Sequence, residues 1–212
     1  MKKSILVLIA VVFTIGYAQA QFKAGIRVGL NGTSVYGDAI PIPSSDATVE
    51  SIVGFQAGVV AEYSIGKSFA IQPAVIYANQ GYAARTDSGN SESLVTLNLN
   101  YVQVPVNLLF KAGSPKIAFF MELGPYVGYA LNGKAKKELL ENGKVTDSKK
   151  ESINFDEDQL NRLDAGAGLG LGVQLFGTQI AINYSLGFMN LSKEPDYNFK
   201  NNCLALTLSF LF

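Results

Sequence analysis

The sequence predicts an all-β protein, an eight-stranded antiparallel up-and-down barrel that crosses a membrane and follows a cleavable signal peptide. Three observations lead to this fold class. Apolar and polar residues alternate with a period of two in eight separate stretches. The connections between these stretches are alternately short and long. No stretch after Tyr17 is apolar for long enough to form a membrane helix, although 48% of all residues are apolar.

The first twenty residues have the three zones of a secretory signal peptide. Two lysines form a charged start, residues 5–17 form an apolar core, and Ala18-Gln19-Ala20 forms a small-residue end. The apolar core is shorter than the roughly 20 residues that a helix needs to span a bilayer. We therefore predict a signal peptide over residues 1–20 and a single barrel domain over residues 21–212.

Each of the first three predicted strands has one apolar face and one polar or small face. All eight strands are predicted at about 22–33, 53–65, 68–81, 94–111, 117–131, 161–176, 179–190 and 204–212. Strand one alternates apolar residues such as Ile26 with Lys23 and Arg27, so its two charges share a face. Strand two places Glu62 on its polar face. Strand three alternates in the same way, although Pro73 removes one backbone donor from its ladder.

Strand four changes its apolar phase along its length. Residues 102–110 are apolar at even positions, whereas Leu97, Leu99 and Tyr101 occupy odd positions. We interpret the change as a bulge near Tyr101 or as an upper half that stands above the membrane. Strand five keeps a single phase and places Glu122 on its polar face.

The last three predicted strands repeat the alternation. Strand six carries Arg162 and Asp164 on the face that continues as a row of glycines at 166, 168, 170 and 172, which predicts room for long side chains opposite. Strand seven alternates isoleucine, tyrosine and leucine with small or polar residues. Strand eight alternates from Leu204 to Phe212 and ends on that aromatic residue.

The connections and the outward aromatic residues agree with a barrel in an outer membrane. The long polar connections are 34–52, 82–93, 132–160 and 191–201, and the others are brief. Short periplasmic turns and long outer loops are typical of such barrels, so both termini are predicted in the periplasm. The predicted aromatic girdles are Tyr63, Phe69, Phe110, Phe119 and Phe212 at the lower rim and Phe55, Tyr77, Tyr129 and Phe188 at the upper rim.

The interior of an eight-stranded barrel is narrow enough for side chains to fill it. The polar residues predicted to face inward are Lys23, Arg27, Glu62, Glu122, Arg162 and Asp164. Buried charges need partners, so we predict that these six form a structural network in the lumen. Diffusion through the lumen is therefore not the expected function.

The sequence contains no recognisable catalytic, cofactor-binding or metal site. The absence of histidine excludes Ser-His-Asp and Cys-His nucleophile systems and histidine-bearing zinc sites. Cys203 is the single cysteine and is predicted as a small inward residue. Residues 61–68 match a relaxed phosphate-loop pattern, but a strand follows them where that loop must open a helix. Without the signal, 15 cations face 17 acids, which argues against nucleic-acid binding.

The long connection 132–160 carries charges of both signs. Its candidate contact residues are Lys134, Lys136, Lys137, Lys149 and Lys150. Mixed charge is typical of a solvated loop. The more specific alternative is a surface that touches lipopolysaccharide, where lysines meet phosphates and carboxylates are bridged by divalent ions.

Three segments carry a resemblance to a known family. Residues 101–106 (YVQVPV), 124–129 (GPYVGY) and 163–166 (LDAG) resemble the Bacteroidetes outer-membrane β-barrel family often labelled PorT-like or porin family. The resemblance covers essentially the whole mature chain. It implies an eight-stranded barrel inserted by the outer-membrane assembly machinery, which reads the C-terminal strand and Phe212. It implies little about activity.

We expect a monomeric, non-enzymatic outer-membrane barrel without cofactors that acts through its surface loops. Its work would be envelope integrity, surface interaction or membership of a larger envelope complex. Its expected partners are outer-membrane lipid, lipopolysaccharide and the assembly machinery, but not nucleic acid. One alternative is a lipocalin-like barrel with its apolar face turned inward around a small ligand. The other is a lipid-modifying outer-membrane enzyme, which the lack of histidine disfavours.

Overall fold

A computed structural model describes residues 21–40, 47–88, 91–114, 116–141, 144–155, 157 and 160–212; the predicted signal peptide lies outside these residues. The strands are β1 (Phe22–Ala39), β2 (Thr48–Glu50), β3 (Ile52–Ile65), β4 (Phe69–Ser88), β5 (Ser91–Gly113), β6 (Ile117–Glu141), β7 (Lys144–Ser152), β8 (Leu163–Leu175), β9 (Thr178–Gly187) and β10 (Asn198–Leu211). Within the described ranges, no helix is long and apolar enough to cross a membrane.

Eight of these strands close into a ring in which all neighbours are antiparallel. Their order is β1, β3, β4, β5, β6, β8, β9 and β10, and β10 returns to β1 along a register that begins at Gly25↔Leu211. The remaining two strands, β2 and β7, pair with the far ends of β4 and β6. The predicted eight-stranded antiparallel barrel is confirmed.

The apolar faces of the strands point away from the barrel axis. The side chains of Leu171 and Leu206 are 65% and 53% exposed, whereas Glu122 and Asp164 are 1% and 0% exposed. A lipocalin-like barrel would have the opposite arrangement, because its apolar face lines the ligand cavity. That alternative is wrong.

Aromatic residues surround the barrel at two levels, as predicted. Phe69 packs against Phe110 with ring centroids 5.3 Å apart near the short turns, and Phe55 packs against Tyr77 at 6.0 Å on the other side of the apolar belt. Eight residue steps separate Phe69 from Tyr77, which is about 26 Å along the strand. A transmembrane strand needs roughly 9–11 residues, so the two levels are spaced to span a membrane.

Two of the predicted outer loops consist mostly of strand. β4 and β5 run on to Ser88 and Ser91, so the predicted loop 82–93 is the end of a long hairpin. Residues 132–141 and 144–152 likewise form the extended part of β6 and its partner β7. Outside the membrane neither face has to be apolar, so the alternation that identified the other strands is lost while the backbone ladder continues.

The phase change near Tyr101 comes from an upper half above the membrane, with a bulge in the neighbouring strand. Leu97, Leu99 and Tyr101 all face inward, so β5 keeps one phase throughout. The register with β6 shifts between Asn100 and Tyr101, where Leu131 of β6 is the extra residue.

Pro73 is accommodated by a local break in pairing. The register of β3 on β4 runs from Gln56↔Ala78 to Val60↔Ala74 and resumes at Tyr63↔Ile71. The break lies opposite the proline because that residue has no backbone N–H to donate.

Candidate functional site

A closed ring of hydrogen bonds surrounds Glu62 at the lower end of the lumen, the end with the short turns. The buried Glu62 carboxylate accepts from Lys111 Nζ at 2.5 Å, Gln179 Nε2 at 2.8 Å and Gln72 Nε2 at 3.0 Å. Gln174 Oε1 accepts from Gln179 at 3.1 Å and from Lys111 at 2.8 Å, which closes the ring. We call this set the Glu62 ring. Its three donors replace the hydration that Glu62 loses on burial.

Arg27 joins the Glu62 ring to a second buried carboxylate. Its Nη2 donates to Gln72 Oε1 at 2.5 Å and lies 3.7 Å from Glu122 Oε2. Asn107 Nδ2 donates to the same Glu122 oxygen at 2.9 Å. Each carboxylate in this part of the lumen therefore has its own cation, which is the condition for tolerating buried charge.

Asp164 lies apart from these pairs and is held by neutral donors. Its Oδ2 accepts from Tyr126 Oη at 3.1 Å and from Asn201 Nδ2 at 3.0 Å. Asn201 Nδ2 is also 3.5 Å from Tyr101 Oη, at the level where the polar lumen ends. Among the described residues, no cation forms an ion pair with Asp164.

Arg162 is not part of the lumen network that the sequence suggests. It precedes β8, and its Nη1 donates to the carbonyls of Ala130 and Leu131 at 3.2 and 3.3 Å. Its guanidinium carbon lies 4.2 Å from the centre of the Phe155 ring, a cation–π contact. The bulge at Leu131 exposes these carbonyls, which explains why Arg162 is drawn away from Asp164.

The remaining member of the predicted lumen network is Lys23. Lys111, which binds Glu62, was not among the predicted lumen residues. Lys23 faces inward directly across from Glu62 and lines the lower opening with Lys111. Lys111 is the last residue of the predicted strand 94–111, and it continues the odd-numbered inward phase of Gln103 and Asn107 in β5. That phase is the signal that could have identified it.

The glycine row of β8 makes room for side chains, as predicted. A Cβ at Gly172 would overlap the ring of Phe120, and a Cβ at Gly166 would lie 2.7 Å from Cε1 of Tyr126. A Cβ at Gly168 would instead make ordinary contacts at 3.5 Å or more. The row therefore accommodates large residues of β6 at some of its positions.

Above Asp164 the barrel interior is apolar. Its buried residues are Val35, Tyr82, Ala84, Leu97, Leu99, Tyr101, Ala130, Phe155, Leu191 and Phe199. Phe155 and Leu191 belong to connections that fold into the upper end. Between this core and the Glu62 ring lies a cavity of about 90 Å³, enough for a few water molecules. The described interior is thus filled at both ends.

The five candidate lysines lie on both faces of the β6–β7 hairpin. The face continuous with the outer wall of the barrel carries Lys134, Lys136 and Lys150, and the other face carries Lys137 and Lys149. Lys136 is directly opposite Lys150, and Lys137 is directly opposite Lys149. On the second face, a hydrogen bond to Glu151 raises the pKa of Lys149 above its ordinary value.

An asparagine ladder lies beside these lysines and was not foreseen. Asn79, Asn100 and Asn132 are register partners on β4, β5 and β6. Asn79 Nδ2 donates to Asn100 Oδ1 at 2.9 Å, and Asn100 Nδ2 donates to Asn132 Oδ1 at 2.7 Å. The available signal was an asparagine next to the last outward aromatic or apolar residue of three strands, after Tyr77, before Val102 and after Leu131.

Among the described residues, no group of three or more acidic or cysteine side chains is placed to hold a metal ion. Cys203 is buried and faces inward.

A comparison with protein families supplies the class of the molecule. The model for the outer membrane protein beta-barrel domain matches residues 17–193. The chain belongs to this family. The outer-membrane location predicted from the strand pattern is thereby confirmed.

Solved structures with a similar arrangement include two outer membrane proteins and one surface protein. Ail of Yersinia pestis is 15% identical, with 91% of this chain and 99% of Ail covered and a TM-score of 0.43. Neisserial surface protein A is 12% identical, with 89% and 97% covered and a TM-score of 0.48. OprG of Pseudomonas aeruginosa is 10% identical, with 90% and 94% covered and a TM-score of 0.36. No curated protein sequence matches this outer-membrane barrel.

Proposed function

We propose that this outer-membrane barrel is a closed scaffold that acts through its external surface. Its work would be surface interaction, envelope integrity or a place in a larger envelope complex. The filled interior is the observation that carries this proposal. The Glu62 ring occupies the lower lumen, and the apolar core occupies the upper part. A solute would have to displace buried ion pairs and a packed core to pass.

The external part is an ordered sheet, which suits a specific contact surface. β6 continues twelve residues beyond Tyr129 to Glu141, about 40 Å along the strand, and returns as β7. A hydrogen-bonded hairpin holds its side chains at fixed spacings. This order lowers the conformational entropy lost when a partner binds.

The proposed partners follow from the charges of the β6–β7 hairpin and from the exposed Phe212 at the lower rim of the barrel. The lysines of the β6–β7 hairpin would bind the phosphates of lipopolysaccharide. The barrel itself would be a monomer. The assembly machinery would read Phe212, which is exposed at the lower rim and exchanges backbone hydrogen bonds with Ala24. The absence of histidine and of a basic excess supports a protein that is neither an enzyme nor a nucleic-acid binder.

We further assign the chain to the PorT-like group of Bacteroidetes barrels. The three segments that carry this resemblance lie side by side on β5, β6 and β8, where Tyr126 is the register partner of both Pro105 and Gly166. The segments on β6 and β8 are also joined by the hydrogen bond between Tyr126 and Asp164. Their shared position supports reading them as one structural motif.

Amine crosslinking in living cells, followed by identification of whatever the hairpin lysines capture, tests the proposal. Capture of lipopolysaccharide alone supports an envelope role, and capture of one specific protein supports membership of a complex. Recordings in planar bilayers test the closed interior separately. Large, reproducible conductance steps of the purified barrel would contradict it.

A further inference from the structure

We propose that the outer wall of the barrel binds the phosphorylated sugar headgroup of an outer-leaflet glycolipid. The site, which we call the amide–lysine site, consists of Asn79, Asn98, Asn100, Asn132, Lys134, Lys136 and Lys150. These residues line a shallow cavity of about 350 Å³ on the outside of β4 to β7. The inference rests on the proposed surface function and names the chemical class of its ligand.

The height of the amide–lysine site on the outer wall indicates that its ligand is a membrane lipid. Asn79 follows the outward Tyr77 by two residues in β4, and Asn100 precedes the outward Val102 by two residues in the antiparallel β5, so both lie one outward position farther from the short turns. Aromatic girdles mark the boundary between hydrocarbon and headgroups. The asparagine ladder therefore lies in the headgroup layer, with acyl chains packed on the wall below it.

The asparagine ladder presents ordered amides to this layer. Its three carboxamides are spaced by the strand separation of roughly 4.8 Å and are oriented by their mutual hydrogen bonds. A carboxamide both donates and accepts, so the ladder can bind the hydroxyl and amide groups of an amino sugar. Asn132 ends the ladder and is exposed.

The lysines supply the charge that a phosphate needs. Lys136 and Lys150 are direct cross-strand partners, and like charges in that position repel. Glu138 Oε1 lies 2.7 Å from Lys136 Nζ. It offsets the charge of Lys136 but not that of Lys150. Among the described residues, no carboxylate pairs with Lys134 or Lys150. A phosphate between β6 and β7 would relieve the repulsion.

The order of groups along the wall matches a lipid and not a free ion. Lys134 and Lys136 lie two and four residues beyond Asn132, roughly 7 and 13 Å along the strand. One ligand must therefore offer acyl chains at the girdle, sugar groups at the amides and phosphate above them. A phosphorylated glycolipid standing in the outer leaflet does this.

The hairpin contains its own matched control. Lys137 and Lys149 are two lysines on the opposite face of the same hairpin, away from the asparagine ladder. The double variants K134Q/K150Q and K137Q/K149Q remove the same charge from the same hairpin. Only the first pair belongs to the amide–lysine site.

The test measures the glycolipid that the purified full-length barrel retains in detergent, by mass spectrometry. The probes are a bis-phosphorylated lipid A and the same glycolipid after removal of its phosphates. We expect K134Q/K150Q to lower retention of the phosphorylated probe about 10-fold and K137Q/K149Q to lower it less than about twofold. N100A should lower retention of both probes, because it interrupts the ladder that binds the sugar.

Several outcomes would overturn the proposal. Equal losses in the two lysine pairs would mean that the net charge of the hairpin, and not a site, holds the lipid. Displacement of the probe by excess inorganic phosphate would mean that the site takes a free anion. No retention by the unaltered barrel would reject the site, whereas the crosslinking experiment would still judge the wider surface function. Heat-dependent gel mobility shows that each variant is folded.

Discussion

Replacing Lys111 with methionine should destabilise the barrel strongly. Methionine keeps most of the apolar stem of the lysine but removes the cation that lies 2.5 Å from Glu62 Oε1. Glu62 is 1% exposed, so its carboxylate depends on protein donors. Two amide donors, from Gln72 and Gln179, remain on the carboxylate. An uncompensated buried charge of this kind costs about 3–5 kcal/mol.

The measurement is equilibrium unfolding in urea after reconstitution into lipid vesicles, with the free energy of unfolding compared between variants. The double variant K111M/E62Q should recover most of the loss, because the glutamine that replaces Glu62 carries no charge. As a matched control, K136M removes a lysine from the more exposed pair with Glu138 and should cost less than about 1 kcal/mol.

The reasoning would be refuted if K111M cost no more than K136M. The amide donors of Gln72 and Gln179, together with Lys23 across from Glu62, would then suffice to hold the carboxylate without Lys111. Failure of E62Q to recover stability in the double variant would show that the loss does not come from an unpaired charge on Glu62.

Three further substitutions test other parts of the fold. G172A should cost about 1–3 kcal/mol in the same unfolding assay because its methyl group meets the Phe120 ring and the backbone carbonyl oxygen of Ile180, whereas G168A should be nearly neutral. L206R places a charge on the lipid face near the middle of the belt and should cost about 2–4 kcal/mol. F212A should slow insertion by purified assembly machinery while leaving the stability of the inserted barrel within about 1 kcal/mol.

Each of these predictions has an outcome that contradicts it. Equal effects of alanine at Gly172 and Gly168 would mean that the row is not shaped around the side chains opposite. A stable L206R barrel would place that position away from hydrocarbon. An unchanged insertion rate for F212A would remove the aromatic end from the assembly signal.

The parts of the chain that face two different solvents were predictable from the sequence. Where one face meets hydrocarbon and the other meets the lumen, residues must alternate, and this requirement located all eight strands of the ring. The glycine row and the aromatic girdles were readable for the same reason. The extended hairpins were missed, because a sheet outside the membrane needs no apolar outer face, so residues such as Glu92 and Lys134 carry no such pattern.

The sequence by itself determined the class of fold, the face of each strand that meets lipid and the filling of the lumen, because these follow from which side chains tolerate hydrocarbon. Only the tertiary structure decided which charges pair. The partners in the Glu62 ring come from distant strands, and the bulge at Leu131 moves Arg162 to a different set of acceptors. The tertiary structure also placed the asparagine ladder beside the hairpin lysines. The register between strands determines that contact, and the sequence of one strand alone does not reveal it.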